Sequence, residues 1–437
     1  MRVLRAALLA CLSASAGAQI GLPPARVPAL PAVNLPGVLN GLPGTADPAT
    51  ARLDTAQLRE LRHARIGELL RRHRDVLEAD SRGEPIVRGQ VLLLSPDAAS
   101  LAAVASAGFT IERESALTGL DARLLVLRVT GDTARALRRL QTLDPAGSYD
   151  FNHIYLESAV PAGPAVAPAA AAAAEGTAAP PAVVRLGLID SGVDARHGAF
   201  AGGVLHRHGC AGAAVPAAHG TAVASLLIGH SGAFRGAAPG GELYAADVFC
   251  GLPAGGSVEA VVEAFAWLVD ERVAVINVSL VGPPNRMLES IVRSIVARGY
   301  LVVAAVGNDG PAAPPLYPAA WPGVIGVTGI DARGRVLPEA ERGPQVKFAA
   351  PGADMAAAGT PHGYVLVRGT SFAAPIVAAL LAPGLAQPDP AAAARAIRAL
   401  AGRAQHAGNA DPDAVYGYGV VGAELRPPPA LVRLRAD

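Results

Sequence analysis

The feature that most constrains the fold is the alternation of short apolar runs with helical segments after Val183. Five of these runs indicate strands: VVRLGLID, ELYAADVF, VAVINVSL, YLVVAAVG and GVIGVTGI. They are apolar almost throughout, rather than at every second residue, which is typical of strands buried on both faces. The pattern predicts an α/β domain with a parallel central sheet between helices, and functional side chains are expected at the carboxyl ends of its strands.

A smaller unit precedes this domain, between Gly89 and Glu157. Its runs follow the order QVLLLS, DAASLAAVASAG, FTIERES, ARLLVLRV, DTARALRRLQTL and SYDFNHIYL. They predict the β-α-β-β-α-β order of a ferredoxin-like α+β domain, assigned to residues 86–157. One helix is predicted ahead of it, with an Arg-rich face that interleaved Glu and Asp favour as solvated. Its apolar positions are Leu58, Leu61, Ile66, Leu69, Leu70, Val76 and Leu77.

The remaining segments delimit these units. Residues 1–18 have two Arg, an apolar run and a small-residue cleavage site, as in a secretory signal peptide, and the run is too short to span a bilayer. Residues 19–85 combine a Pro- and Ala-rich leader with the helix, and residues 158–182 form an Ala- and Pro-rich linker. The large domain is assigned to 183–424 and a tail to 425–437. With 437 residues and a net charge of +1, the chain has no basic footprint for nucleic acid.

Four polar residues stand at strand or helix ends, and each has an ordinary structural explanation. Asp190 ends the strand LGLID, and Asn308 follows the strand VVAAV, so both fit turns. His219 precedes a small-residue helix and fits a satisfied structural residue. Ser371, in RGTSFAAP, fits a helix cap. Taken together, however, Asp, His and Ser in this chain order match one of the known orders of a catalytic triad.

With these motifs, the chain resembles the subtilisin-like (subtilase) serine peptidases. LIDSGVDARHGAF resembles the family's Asp box, HGTAVAS its His box, GTSFAAP its Ser box and AAVGNDG its oxyanion segment. INVSLVGP resembles the substrate-binding strand, and YGYGVVGA the closing segment. The resemblance covers residues 183–423 and implies a subtilisin-like three-layer fold. The ferredoxin-like unit resembles the inhibitory prodomain of the family.

The resemblance implies a role for each of these side chains. Ser371 would be the nucleophile, His219 its base, Asp190 the group that orients the imidazole, and Asn308 the oxyanion donor. Substrate-binding positions would be Ser279, Leu280, Val281, Gly282, Ala305, Val306 and Gly307.

Three residues depart from the family pattern. Ser225 replaces a usual Gly, a small change that we expect to matter little. Val281 and Val306 stand where Gly and Ala are common, on the walls of the primary specificity pocket. Their bulk predicts a preference for small or medium apolar side chains before the cut bond, unless Val281 points away from the pocket.

The resemblance also implies an exported serine endopeptidase, secreted or periplasmic, made as a zymogen that cuts itself between Glu157 and Ala182. We expect polypeptide substrates, the prodomain as intramolecular inhibitor, a monomer, and neither nucleic-acid nor membrane binding after signal removal. The alternative is a catalytically silent binding module. We expect no required cofactor and no metal site; calcium, common in the family, has no dense run of oxygen ligands here. Cys210 and Cys250 form either a disulfide or two buried thiols.

Overall fold

A computed structural model describes residues 55–158, 162–166, 184–252, 254–409 and 412–432. Its helices are α1 Thr55–Arg72, α2 Ala98–Ser106, α3 Thr133–Leu143, α4 Ala218–Ile228, α5 Val258–Asp270, α6 Arg286–Ala297, α7 Thr370–Leu381 and α8 Pro390–Ala401. Short 3-10 helices are Thr118–Leu120, Gly198–Phe200, Cys210–Gly212, Ala382–Gly384, Ala423–Leu425 and Pro429–Leu431. The predicted signal peptide, most of the leader and most of the linker lie outside the described residues.

The strands fall into the two predicted regions. Those before residue 167 are β1 Leu77–Ala79, β2 Pro85–Leu94, β3 Thr110–Leu117, β4 Ala122–Arg128, β5 Ser148–Glu157 and β6 Ala162–Val166. Those after residue 184 are β7 Arg185–Asp190, β8 Val204–His208, β9 His230–Ser231, β10 Phe234–Arg235, β11 Glu242–Asp247, β12 Gly256–Ser257, β13 Val275–Val278, β14 Leu280–Val281, β15 Leu301–Ala305, β16 Ile325–Ile330, β17 Val346–Pro351, β18 Met355–Ala358 and β19 Tyr364–Val367.

The larger domain is built on a parallel seven-stranded sheet in the order β17-β16-β15-β13-β7-β11-β8. Helices α4 and α7 pack with one face of it in a single apolar cluster, and α5 and α6 pack with the other. This is the predicted three-layer α/β architecture. Because all seven strands run the same way, β7, β13 and β15 end at one edge, and the residues that follow them meet there.

The smaller domain has the predicted ferredoxin-like arrangement. Its antiparallel sheet has the order β5-β2-β4-β3, and α2 and α3 cover one face with an apolar cluster of their own. The opposite face contributes Leu92, Leu117, Leu124, Val126 and Tyr155 to the cluster that contains α5 and α6. The sheet is therefore enclosed between two helices of its own domain and two of the larger domain.

Two sequence predictions differ from the structure. The first helix ends at Arg72, so Val76 lies in a turn and Leu77 begins β1 instead of continuing the helix. The linker was assigned from residue 158, yet residues 162–166 form a strand that pairs with β19 of the larger domain. Among the described residues, the structure has no helix both long enough and apolar enough to span a bilayer.

Candidate active site

Asp190 and His219 meet at the carboxyl edge of the parallel sheet. Asp190 is the last residue of β7, and His219 is the second residue of α4. The imidazole Nδ1 donates to Asp190 Oδ1 at 2.7 Å, and both side chains are buried. A proton fixed on Nδ1 leaves the lone pair of Nε2 free, which is the form that can accept a proton.

The chain after Asp190 holds this pair in place. The Ser191 N–H donates to Asp190 Oδ1 at 2.7 Å, and the Gly220 N–H donates to Ser191 Oγ at 3.1 Å. A Cβ at Gly220 would lie 1.9 Å from the Ser191 carbonyl oxygen, so only glycine lets α4 come this close to the end of β7. The segments Ser191-Gly192 and His219-Gly220 therefore pack against each other.

Ser371 lies within the first turn of α7, and it is not the helix cap that was considered for it. The cap residue is Gly369, and the Thr370 N–H donates to Asn308 Oδ1 at 3.1 Å. Pro375 has no N–H for the Ser371 carbonyl, because proline cannot donate to the residue four positions earlier. Ser279 Oγ donates to that carbonyl instead, at 3.0 Å.

The hydroxyl of Ser371 contacts a hydroxyl of the small domain. Its Oγ is hydrogen-bonded to Ser158 Oγ and donates to the Ser279 carbonyl at 3.3 Å. His219 Nε2 is buried and has no hydrogen-bond partner among the described residues. The expected hydrogen bond between Ser371 and His219 is therefore not made in this form, in which Ser158 occupies the approach to the Ser371 hydroxyl.

The end of β5 is extended and pairs with two short strands of the larger domain. On one side it pairs antiparallel with β14, where Glu157 faces Leu280 and Leu156 faces Val281. On the other side it pairs with β12, through Ile154 and Tyr155. Backbone pairing on both edges is the way in which an extended peptide is held between strands of a binding domain.

Asn308 bonds the residue that ends this segment. Its side-chain amide donates to the Ser158 carbonyl oxygen, while its Oδ1 accepts from the Thr370 N–H. The Ser158 carbonyl therefore lies against the predicted oxyanion donor, and the Ser158 hydroxyl lies against the Ser371 hydroxyl. Both polar groups of Ser158 are therefore bonded to candidate catalytic residues.

Four of the predicted substrate-binding residues, Ser279, Leu280, Val281 and Gly282, lie along the end of β5. Leu280 and Val281 form β14, and Ser279 supports Ser371. Gly282 lies against the ring of Tyr155, which a Cβ would approach to 2.6 Å, and Tyr155 Oη donates to the Pro283 carbonyl at 2.8 Å. A large aromatic side chain is thus accommodated three residues before Ser158, because Gly282 has no side chain.

Ala305, Val306 and Gly307 lead to Asn308, and Val306 is in the apolar core beside Gly326 of β16. The role predicted for Val281 and Val306 in narrowing the pocket stays a prediction. Sequence reasoning missed Leu316, whose Cδ1 would lie 2.9 Å from a Cβ on Gly307. This buried side chain fills space beside the oxyanion segment, and no motif in the sequence indicated it.

Two carboxylates surround the imidazole. Burial alone would lower the pKa of His219, but the charges of Asp190 and Glu157 outweigh it and raise the pKa to about 9. Ser191 Oγ donates to Glu157 Oε1 at 2.7 Å. Burial in turn raises the pKa of the Glu157 carboxyl. Glu157 was predicted only as the last residue of the ferredoxin-like unit and the start of the cleavage region, so its place beside the candidate triad was not foreseen.

A second buried acid lies under the oxyanion segment. A Cβ on Gly307 would lie 2.6 Å from Glu341 Oε1, and the Leu316 N–H donates to Glu341 Oε2 at 3.2 Å. Burial raises the pKa of Glu341 to about 9, with a smaller contribution from Asp309. This carboxyl is therefore neutral at neutral pH.

The predicted solvated face of α1 is partly wrong. Arg62 donates to Asp309 Oδ2 and to Glu84 Oε2, each at 2.9 Å, and its side chain is 14% exposed. Asp309 directly follows Asn308, so one Arg of this helix bonds the loop that carries the oxyanion donor. Arg62 and Asp309 are 247 positions apart in the sequence, so helical periodicity could not predict that they pair.

The two cysteines are bonded to each other in the structure. Cys210 precedes α4 and Cys250 follows β11, so the disulfide joins the segments before α4 and after β11. Two described sets of His, Cys, Asp and Glu side chains come within metal-binding distance of one another: Cys210 with Asp247 and Cys250, and Glu157 with Asp190 and His219. The first contains the disulfide and the second the candidate triad, so neither is a free ligand set.

Comparison with known proteins gives consistent matches. The model of the subtilase family matches residues 183–419. M-protease of Shouchella clausii is 35% identical over 191 residues, 43% of this chain and 49% of that protein. Minor extracellular protease Epr of Bacillus subtilis is 30% identical over 188 residues, 43% of this chain and 29% of that protein. The chain thus spans less than two thirds of these relatives.

A solved structure supports the architecture. Fervidolysin from Fervidobacterium pennivorans, a keratinolytic enzyme related to subtilisin, aligns with a TM-score of 0.64 and 20% identity, over 80% of this chain and 62% of that one. At this identity the likeness concerns the fold alone.

Proposed function

Because this chain belongs to the subtilase family, we propose that it is a serine endopeptidase that uses Ser371, His219, Asp190 and Asn308. The observation that carries the proposal is the Ser158 carbonyl, held by the Asn308 amide next to the Ser371 hydroxyl. The hydrogen bond between Asp190 and His219 supports the assigned base.

The proposed reaction passes through an acyl-enzyme. Ser371 Oγ forms a bond to the peptide carbonyl carbon while its proton moves to His219 Nε2, and the carbonyl π electrons move to the oxygen. Asn308 stabilises that oxyanion. As the C–N bond breaks, His219 gives the proton to the leaving amine. Water then repeats the sequence on the ester and releases the acid and free Ser371.

We propose that the small domain is an intramolecular inhibitor and that the first bond cut is Ser158–Ala159. This narrows the cleavage region expected from sequence to a single bond. The antiparallel pairing of β5 with β14 and β12 supports it, because it aligns the chain as a substrate would lie. Export through the signal peptide 1–18 belongs to the same proposal.

The same tail suggests which substrates the groove accepts. Ser158 is small, in accord with buried Leu316 beside the oxyanion segment, and Tyr155 packs on Gly282. We expect polypeptides with a small residue before the cut bond and an aromatic residue three positions earlier. Preferred cleavage of a peptide library after Phe or Arg would contradict this.

Ser371→Ala tests the reaction directly. The wild-type chain should yield a fragment whose first residue is Ala159, as N-terminal sequencing detects, and a fluorophosphonate should label Ser371. Ser371→Ala should remain full length and unlabelled, because loss of this nucleophile in a subtilisin costs about a millionfold in turnover. Ser106→Ala, at an exposed position, is the matched control. A wild-type chain that neither matures nor labels would instead favour a silent binding module.

A further inference from the structure

We infer that Ser191 and His219 form a subsite selective for an acidic side chain at the second residue before the cut bond. Glu157 of the prodomain is the first occupant of this subsite. The inference rests on the proposed function and names a substrate class for the same site.

The geometry gives Glu157 one strong partner and one charged neighbour. Ser191 Oγ donates to its Oε1 at 2.7 Å, and its backbone pairs with Leu280. Its carboxylate, Asp190 and His219 each place an atom within 4.8 Å of the others. A hydrogen bond to an ionised carboxylate is roughly twice as strong as one between neutral groups, so Ser191 favours an acidic over a neutral side chain.

Four groups of the surrounding elements affect the electrostatics of Glu157. They are His219 of α4, Asp190 at the end of β7, the hydroxyl of Ser191 that follows it and, with the smallest effect, Arg65 of α1. With a neutral imidazole, the carboxylates of Glu157 and Asp190 repel each other across a buried site. A protonated imidazole has a ring nitrogen within 4.8 Å of both carboxylates and is attracted by both. Arg65 belongs to the prodomain and would leave with it, whereas the other groups remain.

An acidic residue in this subsite therefore has opposite effects on binding and on turnover. It binds well while His219 is protonated, but a protonated Nε2 cannot take the Ser371 proton. The raised pKa of His219, about 9, follows from the same contacts. Peptides with an acid at this position should bind tightly and react slowly near neutral pH, and react faster at alkaline pH. The prodomain tail would then be a self-limiting inhibitor at neutral pH.

Two peptides test this on enzyme obtained by self-processing of the full chain. They are Tyr-Leu-Glu-Ser and Tyr-Leu-Gln-Ser, each coupled to a fluorogenic amine. At pH 7 the Glu peptide should have a KM about tenfold lower. The pH of half-maximal kcat should be at least about one unit higher for the Glu peptide, because its carboxylate stabilises the imidazolium.

Ser191→Ala should bring the ratio of the two KM values close to one. The ratio is the readout because Ser191 also bonds Gly220, so absolute rates will change as well. In the full chain, Glu157→Gln should shift the pH of half-maximal processing downward by about one unit or more. Glu114→Gln, at an exposed position of β3, is the matched control and should process as the wild type does.

Equal KM values and superimposable pH profiles for the two peptides would overturn the inference while leaving the peptidase intact. Unchanged processing of Glu157→Gln across the pH range would also overturn it. If no variant processes itself and neither peptide is cut at any pH, the proposed function fails, and the subsite proposal fails with it.

Discussion

The contacts between the prodomain and the peptidase domain differ from those inside the peptidase domain. Inside it, α7 buries Phe372, Ala373 and Ala374 completely in an apolar cluster. Across the boundary, ion pairs join Arg62 to Asp309 and Arg113 to Glu259, beside a shared apolar cluster. Water can replace polar partners at low net cost, whereas nothing replaces a close-packed core. The boundary therefore contains polar contacts that water can replace, but Leu92, Leu124 and Tyr155 of the small domain are also buried in the shared apolar cluster.

Helix ends show the same contrast. Asp150 Oδ2 accepts from the Arg286 N–H at 2.7 Å, at the start of α6, and Asn152 Oδ1 accepts from the Glu259 N–H at 3.1 Å, at the start of α5. The first turns of both helices therefore bond the prodomain. Inside the peptidase domain, Asn308 bonds the start of α7. If the small domain is released as proposed, water would have to replace its contacts with α5 and α6, whereas the contact of Asn308 with α7 lies within the larger domain.

The largest effect is expected from the disulfide, which belongs to the peptidase domain alone. Replacing Cys210 and Cys250 by Ala, in a Ser371→Ala chain, removes a cross-link that closes 40 residues. We expect a loss of about 4 kcal/mol in the free energy of unfolding of that domain. Denaturant unfolding measures it. A reductant should destabilise the parent chain and leave the double variant unchanged. Equal midpoints for the two chains would contradict a stabilising cross-link.

The sequence predicted these two regions unequally well. The prodomain elements were predicted to within a few residues, as with α3, because periodicity and capping are local. In the larger domain, the edge strand β8 (VLHRH) was missed, since it lacks an apolar run. The candidate triad residues were predicted from motifs, and the structure brings Asp190 and His219 within hydrogen-bond distance of each other. The contacts of Arg62, Glu157 and Leu316 were not predicted, since each depends on pairing between distant segments.

The comparison can be tested by weakening the contacts between the two domains while leaving the apolar core of the peptidase domain unchanged. Arg62→Ala removes two charge-assisted hydrogen bonds between helix α1 and its partners. Prodomain release after processing should become about 10- to 100-fold faster, because such bonds contribute about 1.5–3 kcal/mol. The lag before peptide hydrolysis in self-processed enzyme measures the rate.

Arg71→Ala is the matched control on the same helix. Arg71 bonds only Glu68 of its own helix among the described residues, and its side chain is 72% exposed. Its release rate should equal that of the wild type. If both variants released the prodomain equally faster than the wild type, the cause would be a less stable helix α1. The ion pair between Arg62 and Asp309 would then not control the release rate.

A pH-dependent effect on stability is expected from Glu341, a buried acid of the peptidase domain. Its neighbour Asp309 also bonds Arg62 of helix α1. Its raised pKa, about 9, means that the folded chain retains a proton that the unfolded chain releases. This contribution to stability is fully present below the ordinary pKa of a glutamate and is lost as pH rises toward 9. Glu341→Gln cannot ionise, so it should not undergo this loss.

In a Ser371→Ala chain, Glu341→Gln should gain stability relative to its parent as pH rises from 5 to 8, because the parent loses up to about 1.4 kcal/mol per pH unit while its folded state retains the extra proton. Thermal unfolding across this range measures the gain. Glu424→Gln, at an exposed position, should follow the parent at every pH. If the Glu341→Gln curve also runs parallel to the parent, the carboxyl is already ionised in the folded chain. The interior would then tolerate charge as readily as the boundary does, and the distinction between the two regions would not hold at this site.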